Sequence, residues 1–412
     1  MEYGLIGEHL GHSYSCEIHR RIGDYDYRLQ ELRPEELGDF LARRDFRGIN
    51  VTIPYKQQVI PCLDQVAEEA LAIGAVNTIV QRDGRLLGYN TDIEGLCAAL
   101  AHGGLALAGK KVLILGTGGT AKTAHGAAAR LGAAEIIHVS RSEKPGAVTY
   151  EVAASEHRDA EILINTTPVG MFPRAEEIPI DLGAFPALAG VMDVVYNPLR
   201  TRLVLDARAR GIPAVGGLYM LAAQAVYAAA LFMDRPVQQE TIDLAYRSVF
   251  GEKQNIVLIG MAGAGKSTVG ALLARQTGRE LVDSDAVIVE QAGMPIPEIF
   301  AREGEAGFRA RERDVIRALS AKSGCVIATG GGAVLNPDNV RALRQNGVLC
   351  FLNRAPEALA VSDDRPLSPT RAQAQALYAA RYPIYRAAAD YAVDNDGSPE
   401  ETAKAVLEGA RP

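Results

Sequence analysis

The sequence predicts an α/β protein built from consecutive lobes, and three observations carry that prediction. Short apolar runs alternate with amphipathic stretches nearly throughout, the pattern of parallel sheets covered by helices on both faces. Two unrelated glycine-rich turns, Gly116–Gly119 and Gly260–Gly265, each stand between an apolar run and a helical one. The 412 residues, at about 100 to 200 per domain, leave room for two or three compact units.

Taken in order, residues 1–100 read as a first α/β lobe with strands at Tyr3–Ile6, Tyr27–Leu32, Gly48–Thr52 and Val76–Gln81. Helices are expected over Pro34–Arg43 and Asp64–Ile73. Residues 101–249 form a second series, with strands at Lys111–Leu115, Glu135–Val139, Ile162–Asn165 and Val191–Val194. Helical patterns from Leu218 and from Val237 close it, and residues 217–249 are expected to pack back onto the first lobe. A short polar stretch, residues 250–254, reads as the linker, and Asn255–Ile259 starts a third lobe, residues 255–412, with its own parallel sheet. No internal repeat or low-complexity tract interrupts this order.

Composition excludes several classes. A hydrophobic content of 48%, a charged content of 23% and a net charge of −7 give no electrostatic reason to expect nucleic acid or an anionic membrane. Small molecules are the expected partners, and no motif fixes an oligomeric state. The amino terminus lacks a basic segment followed by an apolar one, and the apolar stretch Leu218–Met233 is interrupted by Gln224, so neither export nor a membrane span is expected. Five scattered cysteines with no CxxC pair suit reduced thiols buried in cores of a cytoplasmic protein.

The first glycine-rich turn, Gly116-Thr-Gly118-Gly119-Thr120-Ala121, follows a strand and opens a helix. There, backbone N–H groups and the positive helix end meet a pyrophosphate, as in a Rossmann-like dinucleotide lobe. A tight strand-to-helix turn alone would use the same glycines. The next strand ends in Ser140-Arg141-Ser142 with no carboxylate for a ribose 2′-hydroxyl, so Arg141 favours the 2′-phosphate of NADP over NAD. Lys144 is a second candidate contact, or a solvated charge.

The second turn, Gly260-Met-Ala-Gly263-Ala264-Gly265-Lys266-Ser267-Thr268, is a complete phosphate-binding loop. Its N–H groups cradle phosphates, Lys266 reaches the β and γ groups, and the Ser267 hydroxyl serves Mg²⁺. Downstream, Asp283-Ser284-Asp285 offers two carboxylates at alternate positions, one for the metal and one for an acceptor hydroxyl; a surface acidic turn is the rival reading. The arginines between Arg302 and Arg317 are expected to form a solvated helical face with Glu303, Glu305 and Glu312.

In the first lobe, hydroxyls, amides, an ammonium and a carboxylate gather at strand ends: Ser13-Tyr14-Ser15, Asn50-Val51-Thr52-Ile53-Pro54-Tyr55-Lys56, Asn77-Thr78 and Asn90-Thr91-Asp92. Open α/β sheets place ligands there. Lys56 would otherwise be a surface charge, and Asp92 a first-turn acid.

The ordered set HSYS, NVTIPYK, AVNT, GYNTD, GTGGTAK, SRS, NTTPVGM, DVVYNP and GLYMLAAQA resembles shikimate dehydrogenase over residues 1–249. The resemblance implies Lys56 and Asp92 as the catalytic pair, Ser13 and Ser15 on the substrate carboxylate, and Thr52, Asn77, Tyr196 and Gln224 on its hydroxyls. Asn165, Thr166, Val194, Gly217 and Met220 would line NADP(H). The implied reaction reduces 3-dehydroshikimate to shikimate. Cys16 replaces the proline usual after the second serine, and Arg20 stands where the family commonly has asparagine.

Residues 255–412 resemble shikimate kinase, through the phosphate loop, Asp283-Ser-Asp285, Gly304-Glu-Ala-Gly-Phe-Arg309, the triple glycine Gly330-Gly331-Gly332 and Asp364-Arg365-Pro366-Leu367. The resemblance implies that Asp285 binds and helps deprotonate the acceptor hydroxyl while Asp283 supports Mg²⁺. Gly330, Gly331 and Gly332 would approach the ring, Arg309 and Arg381 would clamp the carboxylate, and Arg365 of the lid would neutralise the transferring phosphate of ATP. The lid looks shortened, with Val361-Ser362 where the family usually carries another arginine. The product of the first implied reaction is the substrate of the second. An active dehydrogenase, tolerant of quinate, fused to a nucleotide-binding regulatory module with a weakened lid is the alternative. Fusion raises local concentration but leaves a small product free to diffuse, so no channelling is expected.

Overall fold

The computed structural model describes residues 1–10, 14–360 and 370–411. By its contacts the chain divides into two compact units, Met1–Asn197 with Thr201–Val249, and Pro198–Arg200 with Phe250–Pro412.

The first unit contains two sheets of six strands each. In one, β1 (Tyr3–Gly7), β2 (Tyr27–Glu31), β3 (Gly48–Val51), β4 (Gln65–Val66), β5 (Thr78–Arg82) and β6 (Arg85–Tyr89) lie in the order β2-β1-β3-β5-β6-β4. Strands β1 and β3 are central and buried along their whole length, which is why they read as continuous apolar runs. Strand β6 was not expected. It returns antiparallel from β5 across Asp83 and Gly84, whose φ values of 51° and 74° are those of a two-residue hairpin turn. The helix expected over Asp64–Ile73 begins only at Glu68, because Gln65–Val66 pairs with β6 as a short edge strand.

The second sheet consists of β7 (Lys111–Leu115), β8 (Glu135–Ser140), β9 (Ala147–Thr149), β10 (Ile162–Asn165), β11 (Gly190–Asp193) and β12 (Ala214–Val215), ordered β12-β11-β10-β7-β8-β9. All its pairings are parallel. The short edges β9 and β12 had no periodic signal. Strand β7 stands where the order reverses, which opens a crevice at the strands' carboxyl ends. The helix Leu218–Met233 packs against the helices Ser15–Ile22 and Thr91–His102. Gly95 permits this approach, since a Cβ there would lie 2.7 Å from the Met220 carbonyl oxygen.

The expected linker differs as well. A helix spans Gln239–Lys253, so residues 250–253 are its last turn rather than polar coil. In the second unit β13 (Asn255–Ile259), β14 (Leu281–Asp283), β15 (Val326–Ala328), β16 (Gly347–Asn353) and β17 (Tyr391–Asp394) form a parallel sheet ordered β14-β15-β13-β16-β17. Its central strands are buried on both faces. Val257, Ile259, Ile327 and Phe351 belong to one core, and Ile256, Leu258, Val326 and Leu352 to another. The long helix Ile296–Ser320 is broken at Gly304, with φ 70° and ψ −177°.

All five cysteines are free. Cys325 and Cys350 are core residues as expected, but Cys62 is exposed and Cys16 and Cys97 are half-buried. Among the described residues, no helix is long and apolar enough to cross a membrane.

Candidate active sites

The first site is a cavity of about 370 Å³ at the carboxyl ends of the first sheet's central strands, lined by Ser15, Asn50, Thr52, Lys56, Asn77, Asp92, Tyr196 and Gln224 together with His9 and Leu221. Lys56 leaves β3 on a loop fixed at two points. The neighbouring Tyr55 is fully buried and its hydroxyl donates to the Leu32 carbonyl, while the Lys56 carbonyl accepts from the Val76 N–H at 2.8 Å. Asp92 occupies the first turn of the helix Thr91–His102, which Asn90 caps by accepting from the Asp92 N–H at 3.1 Å. These anchors bring Lys56 Nζ to 2.5 Å from Asp92 Oδ2, with both side chains mostly shielded.

Behind the pair lies a buried amide and hydroxyl network. The Asn77 carbonyl group of the side chain accepts from the Thr91 N–H at 2.7 Å, and Asn50 Nδ2 donates to Thr78 Oγ1 at 3.0 Å. Ser15 is the first residue of its helix, so its hydroxyl stands at the positive helix end, a position that suits an anion. His9 and Leu221 also line the cavity without having been anticipated; Leu221 falls within the GLYMLAAQA motif, and His9 lies in no motif. Ser13 lies outside the described residues.

The cofactor candidates gather along one edge of the second sheet, because β7, β8, β10 and β11 run parallel in register. Gly116 has φ 117°, and a Cβ there would lie 2.7 Å from Thr166 Oγ1. Around Gly118 and Gly119 nothing lies within 4 Å of an added Cβ, leaving open space at the start of the helix Gly119–Arg130, whose next residue is Thr120. Ala121 is buried and packs that helix onto the sheet where a third glycine often stands. Asn165 donates to Asp193 Oδ1 at 3.0 Å, and Thr166 donates to the Leu115 carbonyl at 2.6 Å. Gly217 is held so close to Val194 that a side chain would collide with the Val194 carbonyl oxygen, and Met220 follows in the next helix. Ser140 is buried, whereas Arg141 and Ser142 are exposed at the tip of β8. Lys144 Nζ donates to Thr117 Oγ1 at 3.2 Å, which places its charge beside the glycine turn. This open cradle fits a dinucleotide pyrophosphate, with Arg141 available to a 2′-phosphate.

In the second unit the loop after β13 takes positive φ at Gly260, Gly263 and Gly265, conformations that favour glycine. Ala264 is buried beneath it and Thr268 is exposed in the first turn of the helix Lys266–Thr277. Lys266 Nζ donates to the Gly260 and Met261 carbonyls at 2.9 and 2.8 Å. Ser267 Oγ donates to Asp283 Oδ2 at 2.8 Å, a hydroxyl and a carboxylate that suit Mg²⁺ through oxygen or water. Asp283 also caps the helix Ser284–Ala292, which directs Asp285 inward.

Asp285 Oδ1 is buried without a hydrogen-bond partner. Burial, reinforced by the Asp283 charge and opposed by Lys266, pushes the Asp285 carboxyl up to about 6. The triple glycine closes around it, since a Cβ on Gly330 would lie 2.5 Å from Asp285 Oδ1 and 3.0 Å from Glu312 Oε1. Arg309 fits against Gly332, where a side chain would collide with its guanidinium. Arg381, itself buried, donates to the Gly331 carbonyl at 3.1 Å.

Glu312 corrects the expectation of a solvated face. It is 1% exposed and pairs with Arg309 at 2.8 Å, because beyond the Gly304 break the helix turns this residue toward Gly330. Its spacing of three from Arg309 was the available signal. Asn395, also unanticipated, donates to the Ala264 carbonyl at 2.6 Å and steadies the loop. Arg365 and the rest of the lid, including Val361, Ser362 and Asp364, lie outside the described residues.

Comparison with known proteins bears on the family of each unit. Residues 5–79 match the family model of the shikimate dehydrogenase substrate binding domain, and residues 262–411 match that of shikimate kinase. The chain is 35% identical over 273 residues to the NADP(+) shikimate dehydrogenase of Moorella thermoacetica, covering 60% of this chain and 92% of that one. The corresponding Geobacillus kaustophilus enzyme is 38% identical over 255 residues, covering 57% of this chain and 91% of that one. Among solved structures, the Thermus thermophilus shikimate 5-dehydrogenase in complex with NADP(H) and shikimate aligns with TM-score 0.55 and 32% identity, over 60% of this chain and 99% of that one. A chorismate mutase/shikimate 5-dehydrogenase fusion from Clostridium acetobutylicum aligns with TM-score 0.58 and 32% identity, over 60% of this chain and 96% of that one. The chain belongs to the shikimate dehydrogenase family in its first unit and carries a shikimate kinase domain in its second.

Proposed function

We infer that the first unit reduces 3-dehydroshikimate to shikimate with NADPH and that the second phosphorylates shikimate to shikimate 3-phosphate with ATP and Mg²⁺. The observation that carries the first assignment is the Lys56–Asp92 pair at 2.5 Å inside a cavity of about 370 Å³ whose walls bear hydroxyls and amides. Bound NADPH supplies a hydride to the ketone carbon. Lys56 delivers a proton to the carbonyl oxygen as it gains negative charge, and Asp92 orients the adjacent hydroxyl and the ammonium. Ser15, with Ser13, suits the carboxylate, while Thr52, Asn77, Tyr196 and Gln224 face the ring hydroxyls.

In the second unit, the unpartnered Asp285 oxygen is the acceptor that a substrate hydroxyl would satisfy. A carboxyl raised to about 6 is ionised near neutral pH yet basic enough to take that proton. Arg309, held by Glu312, and Arg381 supply guanidinium groups for the carboxylate. Lys266 would turn from the loop carbonyls to the phosphates, with Arg365 joining from the lid. These placements favour a working kinase over a regulatory nucleotide-binding module. The free cysteines and the soluble cofactors suit a cytoplasmic setting.

The test is to supply 3-dehydroshikimate, NADPH, ATP and Mg²⁺ to the full chain and weigh the product. Shikimate phosphate is expected. Accumulation of shikimate alone would overturn the kinase assignment, and absence of NADPH oxidation would overturn the dehydrogenase assignment.

A further inference from the structure

We propose that Arg354 is a nucleotide-binding cation of the phosphoryl-transfer site and contacts a phosphate of the bound nucleotide beside Gly265. The proposal rests on the kinase reading of the second unit and adds a residue that neither the phosphate-loop motif nor the lid contains. Arg354 immediately follows β16, the strand hydrogen-bonded alongside β13, which leads into the loop. The two strands are parallel, so their carboxyl ends meet at one edge. There, a Cβ on Gly260 would lie 2.6 Å from the Leu352 carbonyl oxygen. Further along the loop, Arg354 Nη1 lies 3.8 Å from the position of a Cβ on Gly265.

The guanidinium has a defined location, and among the described residues it has no counter-charge. Its Nε is buried with no hydrogen-bond partner, and among the described residues no carboxylate forms an ion pair with it. Two acids that meet its chain neighbours bond to those neighbours instead: Asp394 Oδ1 accepts from Asn353 Nδ2 at 2.7 Å, and Asp396 Oδ1 accepts from the Ala355 N–H at 3.4 Å. Lys266 is folded back onto loop carbonyls, and Asn395 holds the loop from below through the Ala264 carbonyl. A partly buried guanidinium costs folding energy unless something satisfies it. Beside a loop whose N–H groups converge on phosphates, the satisfying group is a phosphate oxygen, for which a guanidinium fork is the matching donor.

The experiment measures shikimate phosphorylation by the full chain against ATP concentration, with inorganic tripolyphosphate as a competitive probe, in the parent, Arg354→Ala and Arg354→Lys. Loss of one charge-assisted contact is expected to raise the KM for ATP and the inhibition constant for tripolyphosphate together by about 10- to 100-fold in Arg354→Ala. Lysine should restore part of both. The KM for shikimate and the NADPH-dependent turnover of the same preparation should not move, which verifies folding. Unchanged ATP dependence in Arg354→Ala would overturn the proposal. So would a weakened ATP KM with unchanged tripolyphosphate inhibition, because the contact would then lie on the nucleoside. A parent chain that neither phosphorylates shikimate nor is inhibited by tripolyphosphate would instead remove the kinase reading itself.

Discussion

Replacing Gly330 by alanine isolates the kinase geometry with a single methyl group. The new Cβ would sit 2.5 Å from Asp285 Oδ1, against the 3.4 Å at which ordinary contact begins, so the carboxylate or the backbone must yield by about 0.9 Å. The backbone has little freedom: the Gly330 N–H donates to Ser284 Oγ at 2.9 Å, and its carbonyl accepts from the Ala333 N–H at 3.2 Å. Glu312 Oε1, at 3.0 Å from the same methyl position, blocks the other direction and is itself tied to Arg309. Asp285 must therefore move, and a displacement of about 1 Å in a reacting group costs on the order of 100-fold in rate. Coupled assays on one preparation provide the comparison. Gly330→Ala should lose shikimate phosphorylation by about that factor while NADPH-dependent reduction stays at the parent rate. A variant that phosphorylates shikimate at the parent rate would refute the placement of Asp285 against the triple glycine.

Four further outcomes are expected. Lys56→Ala should lower reduction of 3-dehydroshikimate by about 10²- to 10⁴-fold, the scale of a lost general acid, with phosphorylation of added shikimate unchanged; steady-state rates of both reactions decide this. Because Asp285 is raised from 3.8 to about 6, phosphorylation should hold a plateau above that pH and fall about tenfold per unit below it. A rate that stays flat from about pH 5 to 7.5 would contradict that assignment. The same raised carboxyl makes the folded second unit bind the proton more tightly than the unfolded chain. Its contribution to stability is therefore fully present below 3.8 and lost as pH rises through about 6, which denaturant titration across that window would detect. Arg141→Ala should raise the KM for NADPH by roughly tenfold, the scale of one charge-assisted contact, with little change for NADH; equal effects on both cofactors would separate Arg141 from the 2′-phosphate.

Much of this molecule was legible in the sequence because the informative residues are local. A buried central strand such as β13 is an apolar run, and a phosphate loop needs its glycines at fixed offsets. The motifs of the first unit also marked positions that folding brings into one cavity, among them Ser15, Lys56, Asp92, Tyr196 and Gln224. The features that were not legible depend on distant partners. Gln65 and Val66 form a strand only because β6 lies beside them, and β6 itself was missed although Asp83-Gly84 was the hairpin signal. Residues 250–253 are helical even though their polar composition reads as coil. Glu312 looked like one more charge on an arginine-rich helix; its spacing from Arg309 was a signal, but its burial follows from the kink at Gly304, which periodicity does not capture. Arg354 carries no motif at all, and its interest arises only from two strand ends meeting.

The buried amide network behind Lys56 and Asp92 has a thermal consequence. Asn50, Asn77, Thr78, Asn90 and Thr91 are all nearly inaccessible to water, and their bonds join β3, β5 and the start of the helix Thr91–His102. Lys56 stands on a loop bonded to Val76 and Asp92 at the helix start that this network holds, so warming should not loosen either without disturbing the network. Reductive turnover should therefore disappear in step with the cooperative collapse of the amino-terminal lobe, with no inactive yet folded intermediate preceding it.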